Sequence, residues 1–405
     1  MATREVVIVD AIRTPIGKSS WKGLEKCGPM GHLSAIELAS LPIKEIVKRT
    51  KVDTHEIEDV VWGCLSQVGE QGFNLGRTAL YEAGFHDEAV GCTINRYCGS
   101  GLQAINFAAQ EVMSGECDLV LAGGSESMSR YQMGSDAQIA AKAGAPLNIP
   151  ESVQGKGLVP MGVSADMIAQ RYKISREEIE EFGFTSQKRA ATAWKQGVYN
   201  SQVFPVKAKK DGQEFTITQD EGVRFSVLDN PEGFIADMKK LPFSFTADGP
   251  HTPATSSQIS DAACAVMITT AEKAQKLGLK PRARFVSFGL AGSDPVLMLT
   301  GIAPAIKNAL KKAGLKVDDI DMFEINEAFA SPVIYAAREL GIDWKTDPRI
   351  NPNGGAIAHG HPIGATGAIL FTKCIYELER TKKRYAVISL CMGGGMGIAT
   401  IIERL

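Results

Sequence analysis

One cysteine in the sequence lies where a thiol could act as a nucleophile. The stretch NRYCGSGLQAINFAAQ places Cys98 directly before Gly-Ser-Gly, and an apolar pattern with helical spacing follows. Amide hydrogens and the helix dipole stabilise negative charge at a helix N-terminus, so a thiolate there has a lowered pKa. The pattern therefore predicts a reactive Cys98 with a lowered pKa; a small buried filler is the alternative role for a free cysteine.

A repeat in the sequence supplies a histidine at the equivalent position. KEIVKRTKVDTHEIEDVVWG and KNALKKAGLKVDDIDMFE each contain a helix, a KVD turn and a strand. Ile320 lies 263 residues after Ile57, and the same offset carries Cys98 to His361 in GHPIGATGAILFTKC. Histidine is a suitable base for a thiol nucleophile. We therefore predict two homologous halves, each with a reactive residue at the start of a helix.

Two further motifs carry groups that could assist this chemistry. CMGGGMG begins at Cys391, and its three glycines expose backbone N–H groups that can form an oxyanion hole. A tight strand-to-helix turn is the alternative. EINEAFA offers the amide of Asn326 and the carboxylate of Glu327 at a strand end. For Asn326 the alternative is a helix N-cap.

The elements that must position these residues alternate between strands and helices. EVVIVDA, DVVWGCL and DLVLAGG are strand-like, and AIELASLPIKEIVKRT has helical spacing, with Pro42 as a candidate kink or end. This alternation indicates a layered α/β unit. Charged helices and the hairpin-like VKAKKDGQEFTI indicate an insertion. We predict an N-terminal half at 1–124, completed by about 251–275, an inserted loop domain at 125–250 and a C-terminal half at 276–405.

Composition and charge argue against several functional classes. The 44 basic and 46 acidic residues give a net charge of −2, without the basic surplus expected of a nucleic-acid-binding protein. No apolar run approaches the roughly 20 residues of a membrane span. The eight cysteines include no Cys-x-x-Cys pair, which argues against zinc-ribbon and redox motifs. The N-terminus shows no signal-peptide pattern, so we expect a reduced, cytoplasmic protein.

Four motifs in order resemble those of the thiolases, which make or break the carbon–carbon bond of 3-ketoacyl-CoA. They are NRYCGSGLQAI, INEAFA, NPNGGAIAHGHPIGATGA and CMGGGMGIAT, and the resemblance extends from VVIVDAIRTPIGK to the last strand. It implies an α/β fold with duplicated α-β-α-β-α layers. It also implies that the inserted loop domain covers coenzyme A.

The resemblance implies a role for each reactive residue. Cys98 would be the nucleophile that takes the acyl group as a thioester, and His361 would accept its proton. Asn326 would orient a water in the first oxyanion hole. Cys391 would act as acid and base on the acetyl α-carbon. The backbone N–H groups of Cys98 and Gly393 would form the second oxyanion hole.

The resemblance also implies residues that bind coenzyme A or the acyl group. Ser257 in TSSQISDAA matches a serine that contacts pantetheine. Arg224 in DEGVR matches an arginine near the nucleotide, and Met161 in PMGVSAD matches a methionine of the acyl pocket. For each of the three, an ordinary surface or core position is the alternative.

The implied reaction is that of a 3-ketoacyl-CoA thiolase of β-oxidation. Coenzyme A would cleave 3-ketoacyl-CoA to acetyl-CoA and a shortened acyl-CoA through an acyl-Cys98 enzyme. Pro160 stands where short-chain acetoacetyl thiolases usually carry a histidine, and TSSQISDAA is similar to the degradative enzymes. The alternative is an acetyl-CoA acetyltransferase that condenses two acetyl-CoA molecules. Two departures are His359, where an aliphatic residue is usual, and the segment LPFSFTADGPHTPATSS.

The expected partners follow from the same resemblance. They are acyl-CoA and coenzyme A as substrates, with no separate cofactor and no metal, and a second chain in a homodimer or homotetramer. A complex with a hydratase/dehydrogenase subunit is a further option. Other classes left open are a cysteine hydrolase, an acyl-binding protein without catalysis and a condensing enzyme of the ketoacyl-synthase type. Cys391 with its glycines argues against the hydrolase and the synthase.

Overall fold

Two similar sets of strands join into one mixed sheet in the computed structural model, which describes residues 4–154, 156 and 159–405. A separate antiparallel hairpin, β6–β7, coincides with the predicted hairpin-like segment. The strands are β1 (Val6–Arg13), β2 (Gly17–Lys18), β3 (Asp59–Gly63), β4 (Val90–Ile94), β5 (Leu119–Ser127), β6 (Val206–Lys210), β7 (Gln213–Ile217), β8 (Ser260–Thr270), β9 (Ala283–Gly292), β10 (Met322–Ile325), β11 (Tyr385–Met392) and β12 (Met396–Arg404).

The helices form the layers around this sheet and the segment between the halves. They are α1 (Ala35–Thr50), α2 (Leu75–Glu82), α3 (Ser100–Ser114), α4 (Ser135–Lys142), α5 (Glu151–Gln154), α6 (Met161–Arg171), α7 (Arg176–Lys195), α8 (Ser226–Asp229), α9 (Pro231–Lys239), α10 (Ala271–Lys276), α11 (Ile302–Ala313), α12 (Ala330–Glu339), α13 (Ala356–His359) and α14 (Ile363–Thr381).

The strand order repeats between the two halves. The first half runs β1-β8-β5-β3-β4 and the second β9-β12-β11-β10, and a short antiparallel contact between β1 and β9 joins them. In each half two antiparallel pairings are followed by a parallel one. Strand β10 begins 263 residues after β3, and α14 begins 263 residues after α3. This correspondence confirms the predicted duplication.

The layers follow from which faces are apolar. Apolar side chains of α3 and α14 form one buried core with strands from both halves, so these two helices make the central layer. Helices α1 and α2 cover the outer face of the first half, and α11 and α12 cover that of the second. The resulting order, α-β-α-β-α, confirms the predicted fold class.

A local sequence signal explains the start of α1, whereas two other features differ from what the sequence predicts. Ser34 and Glu37 form a capping box at the start of α1, as Ser-x-x-Glu sequences do. Helix α1 continues through Pro42, so the expectation of a helix end there is wrong. Strand β5 extends to Ser127, so the predicted boundary at residue 125 falls inside a strand. Among the described residues, no helix has the length and apolar character that crossing a membrane would require.

Glycines let the first turns of α3 and α14 meet at backbone distance. A methyl group at Gly101 would lie 2.6 Å from the carbonyl oxygen of Gly364, and one at Gly367 would strike the backbone nitrogen of Leu102. One at Gly124, at the end of β5, would also strike Gly364. Because the colliding atoms are backbone, no side chain can turn aside to make room. The glycines therefore fix the separation of the two helix N-termini.

We predict that Gly101→Ala destabilises the protein although alanine is the better helix former. Intrinsic propensity favours alanine by about 1 kcal/mol, but overpacking at a rigid contact usually costs about 1–3 kcal/mol. We expect a net loss in the free energy of unfolding, measured by urea denaturation. Gly292→Ala is the matched control, because a methyl group there would meet nothing within 4 Å. Equal stability of the two variants would contradict the close-contact interpretation.

Candidate active site

A cavity of about 820 Å³ opens beside the first turns of α3 and α14. The structure brings five of the sequence-predicted site residues into its lining: Cys98, Met161, Arg224, Ser257 and His361. They come from both halves and from the segment between them. The cavity lining does not include the other three predicted residues, which are Asn326, Cys391 and Gly393.

Cys98 sits in a tight turn just before α3. Tyr97 has a left-handed backbone (φ 49°), and the helix begins at Ser100, two residues after the cysteine. Cys98 is 3% exposed and packs against Met128 and Ile363. Burial raises its pKa to about 12, which corrects the expected lowered pKa. The loss of water around the sulfur outweighs the backbone N–H groups that would favour the thiolate.

His361 is held by hydrogen bonds to two neighbours, Gln258 and Thr366. Its backbone N–H donates to the carbonyl oxygen of Gln258 at 2.8 Å. The Thr366 hydroxyl donates to the carbonyl of Pro362 (2.8 Å), so it accepts from Nδ1–H of His361 at 2.6 Å. This pattern leaves the lone pair of His361 on Nε2. Burial lowers the pKa of His361 to about 4, so the neutral imidazole can act as a proton acceptor at neutral pH.

Asn326 and Glu327 have separate surroundings at the end of β10. Nδ2 of Asn326 lies 3.5 Å from Nε2 of His361, and its Oδ1 is buried without a hydrogen-bond partner among the described residues. The Glu327 carboxylate accepts from the Ser186 hydroxyl (2.6 Å) and from Nδ2 of Asn351 (2.8 Å). Asn326 therefore has an unused oxygen beside His361, whereas Glu327 is used to hold the loop that leads to His361.

Cys391 and Gly393 lie where the turn after β11 meets the turn of Cys98. A methyl group at Gly99 would strike the sulfur of Met392, and one at Gly393 would lie 3.4 Å from the Tyr97 ring. The pKa of Cys391 is raised first by burial and then by the neighbouring Cys98 thiol. The two thiols are therefore close, although their sequence positions are far apart.

The predicted coenzyme A and acyl residues lie along the outer part of the cavity. Met161 is the first residue of α6 and packs beside Cys98. The Ser257 N–H donates to the carbonyl oxygen of Ala328 at 2.9 Å, which ties its strand segment to the end of β10. Arg224 is exposed at the rim. The cavity therefore has a cation at its rim and polar groups farther in.

The unusual segment before Ser257 is anchored by a buried aspartate. Asp166 in α6 accepts from Nδ1–H of His251 (2.8 Å) and from the Thr246 hydroxyl (2.8 Å). Phe245 packs edge-on against Phe329 at 5.4 Å, and both rings line the cavity. The segment that departs from the family pattern therefore forms an aromatic wall of the site.

Sequence analysis missed Glu126, which joins the two halves at the site. This buried carboxylate accepts from the backbone N–H groups of Leu65 (2.9 Å), Ser66 (3.0 Å) and Gly364 (2.9 Å). Burial raises its pKa, and the N–H donors oppose that rise. A charged residue two positions after the apolar run DLVLAGG was the signal available in the sequence.

The arrangement brings together the groups needed for acyl transfer. A thiol and a neutral imidazole line one cavity. A second thiol lies close to the first, an amide lies close to the imidazole, and a glycine turn lies against Tyr97. Among the described residues, no group of three or more His, Cys, Asp and Glu side chains is placed to hold a metal ion.

Comparisons with known proteins agree with this geometry. The family description "Thiolase, N-terminal domain" matches residues 6–272, and "Thiolase, C-terminal domain" matches residues 279–404. The 3-oxoadipyl-CoA/3-oxo-5,6-dehydrosuberyl-CoA thiolase of Escherichia coli is 39% identical over 99% of this chain and 100% of its own. The 3-ketoacyl-CoA thiolase of Bacillus subtilis is 38% identical over 99% of each chain. The crystal structure of the acetyl-CoA acetyltransferase of Bacillus anthracis superimposes with a TM-score of 0.87 at 33% identity, and it covers 100% of both chains.

The relatives carry names that differ in substrate but agree in family. Two domain descriptions match in order and together span nearly the whole chain, and the relatives align over almost their full length. This chain therefore belongs to the thiolase family of acyltransferases.

Proposed function

We propose that the protein is a 3-ketoacyl-CoA thiolase that uses coenzyme A to release acetyl-CoA and a shortened acyl-CoA. The observation that carries the proposal is the shared cavity of Cys98 and His361, with the Cys391 thiol close to that of Cys98. The second thiol has no part in a cysteine hydrolase or an acyl-binding protein. We place this activity in β-oxidation in the cytoplasm, with coenzyme A as a substrate and no separate cofactor.

The first proposed step transfers the acyl group to Cys98. The Cys98 sulfur attacks the 3-keto carbon, its proton moves to Nε2 of His361, and the carbon–carbon bond breaks to leave acyl-Cys98. Because burial keeps the free thiol and the free imidazole neutral, proton transfer accompanies attack rather than preceding it. The imidazolium and the Asn326 side chain, through a bound water, stabilise the charge on the oxygen.

The second proposed role is proton transfer at the departing acetyl carbon. Cys391 donates its proton to that carbon as acetyl-CoA leaves, and in the reverse direction it removes a proton from the acetyl methyl group. The backbone N–H groups of Cys98 and Gly393 stabilise the enolate oxygen. Coenzyme A then attacks acyl-Cys98: the Cys391 thiolate takes the coenzyme A thiol proton, and the His361 imidazolium returns its proton to the departing Cys98 sulfur. Cys98 therefore acts as the nucleophile, and Cys391 acts in proton transfer.

The walls of the cavity favour an apolar acyl chain longer than acetoacetyl. Apolar side chains form much of the cavity lining, among them Met128, Met133, Val159 and Met161. Pro160 replaces the histidine of short-chain enzymes and adds no polar group. The alternative, condensation of two acetyl-CoA molecules, would leave most of this apolar surface without a ligand.

We predict that thiolysis improves from acetoacetyl-CoA to straight-chain 3-ketoacyl-CoA substrates of medium length. Each additional buried methylene contributes about 0.8 kcal/mol, so kcat/KM should rise severalfold over the first steps. The measurement is coenzyme A-dependent loss of each substrate at equal enzyme concentration. A maximum at acetoacetyl-CoA would favour the acetyltransferase alternative, and absence of turnover with every substrate would refute the proposed function.

We predict opposite defects for the two proton-transfer residues. Cys391→Ser should still form acyl-Cys98 but should lose exchange of acetyl-CoA methyl hydrogens, because a hydroxyl ionises much less readily than a thiol. His361→Ala should acylate Cys98 slowly, by about 10²–10⁴-fold. Mass spectrometry of the digested protein measures the adduct. Exchange at the wild-type rate in Cys391→Ser would make Cys391 structural.

We also propose a dimer, because β4 is an edge strand of the sheet. It pairs with β3 on one side, and among the described strands none pairs with its other side. Val90 on β4 is 56% exposed, and Tyr97, in the turn of Cys98, is 47% exposed. An apolar edge of this kind commonly pairs with another chain. Because this edge lies close to Cys98, a second copy of the chain paired with it would support the turn that carries the nucleophile.

The oligomer prediction is checked by light scattering on active protein. We expect a mass at least twice that of the chain, and Val90→Lys should shift the population toward the single-chain mass. Like charges facing each other across a two-fold axis destabilise strand pairing. A mass near 43.4 kDa for the active wild-type protein would contradict the proposal.

A further inference from the structure

His359 differs from the reactive residues because it is buried away from the cavity. It lies two residues before His361, at the end of α13, and is 4% exposed. It is absent from the lining of the cavity that holds Cys98 and His361. A polar side chain buried at this depth must be matched by hydrogen bonds, or it destabilises the fold.

The side chain of His359 contacts three other segments of the chain. Nδ1 lies 2.8 Å from Oδ2 of Asp220, and Nε2 lies 3.0 Å from the Tyr199 hydroxyl and 3.1 Å from the carbonyl oxygen of Asn353. Asp220 follows the β6–β7 hairpin and Tyr199 follows α7, so both belong to the segment between the halves. His359 thus ties the loop of His361 to that segment.

Asp220 is itself a fixed anchor rather than a free carboxylate. Arg13 of β1 donates to both its oxygens, at 2.7 and 3.0 Å, and the Ile16 N–H donates at 2.8 Å. Burial would raise the pKa of Asp220, but Arg13 and His359 outweigh it and hold the pKa well below the ordinary value. The carboxylate is therefore charged at any working pH and accepts from His359 in a fixed direction.

The chain between His359 and His361 transmits this anchoring. Gly360 has φ +114°, and a methyl group there would strike the Ser260 hydroxyl, so this link has little freedom. Nε2–H₂ of Gln258 donates to the carbonyls of Ile357 (3.1 Å) and Ala358 (3.2 Å). The Gln258 carbonyl accepts from the N–H of His361. Hydrogen bonds with the side chain and backbone of Gln258 thus hold both ends of the loop, and the His359 side chain is bonded between them.

We propose that His359 is a positioning residue that sets the place of the His361 imidazole relative to Cys98. It touches no substrate, and it acts through the rigid link at Gly360. The inference rests on the proposed function, because it assigns His359 to the step in which His361 accepts the Cys98 proton. An aliphatic residue at this position would fill the space but could not donate to Asp220.

The test compares two replacements of His359 that differ in hydrogen bonding. His359→Leu fills the space but removes the N–H that donates to Asp220. His359→Asn keeps a side-chain N–H that can donate to Asp220 in place of the imidazole. Displacing a reacting group by about 1 Å can cost about 10²-fold in rate. We expect His359→Leu to lower kcat and the rate of Cys98 acylation about 10-fold or more, with KM within about threefold of wild type. His359→Asn should recover most of the rate.

Two further variants keep the test decisive. His86→Leu is the matched control, because His86 is a half-buried histidine that lies elsewhere and bonds to the Thr54 carbonyl (3.0 Å); it should keep the wild-type rate. Tyr199→Phe removes one hydroxyl from the network and should lower kcat about threefold or more with KM unchanged. If His359→Leu does not fold, Tyr199→Phe and His359→Asn decide the question.

Specific outcomes would overturn the inference. One is a folded His359→Leu variant with wild-type kcat; another is His359→Asn as impaired as His359→Leu, which would indicate packing alone. A rise in KM at unchanged kcat, or wild-type kcat in Tyr199→Phe, would also overturn it. Wild-type protein that turns over no 3-ketoacyl-CoA would instead refute the proposed function, so the two failures are distinguishable.

Discussion

The site depends on one constraint, the backbone contact between the first turns of α3 and α14. Gly101 and Gly364 allow this contact, and the Glu126 carboxylate holds it by accepting N–H groups from both sides of the junction. Cys98 precedes one of these helices and His361 the other, so their separation is set by the glycines rather than by flexible side chains. The duplicated fold supplies two equivalent helix starts, and small residues let them meet.

Burial then determines the protonation states that this geometry offers. Desolvation raises the pKa of Cys98 and lowers that of His361, so a neutral thiol faces a neutral imidazole. The hydrogen bond from Nδ1 of His361 to Thr366 directs the lone pair on Nε2 away from the helix. A substrate that excludes the remaining water and places an electrophilic carbon in the cavity would favour proton transfer during attack. A preformed ion pair is not needed.

Sequence patterns predicted the fold class and the meeting of Cys98 and His361, because a repeat fixes equivalent positions without any knowledge of contacts. They could not predict Glu126 or Asp220, whose partners are distant in sequence and are chosen by tertiary packing. The expected low pKa of Cys98 was wrong for a related reason: helix position can be inferred locally, whereas burial depends on the whole fold. Pro42 lies inside α1 because tertiary packing of an apolar face outweighs a local helix-breaking preference.

The two halves use equivalent strand ends for different purposes. Strand β5 follows α3 and β11 follows α14, and each lies next to a parallel strand of its own half. The end of β5 carries Glu126, which binds backbone N–H groups and secures the junction, whereas the end of β11 carries the Cys391 thiol beside Cys98. The register of the parallel strand pairs places Cys391 at the position of Ser125, one residue before Glu126. The first half therefore uses its strand end to secure the helix contact with a carboxylate, whereas the second half places a buried thiol at the neighbouring position.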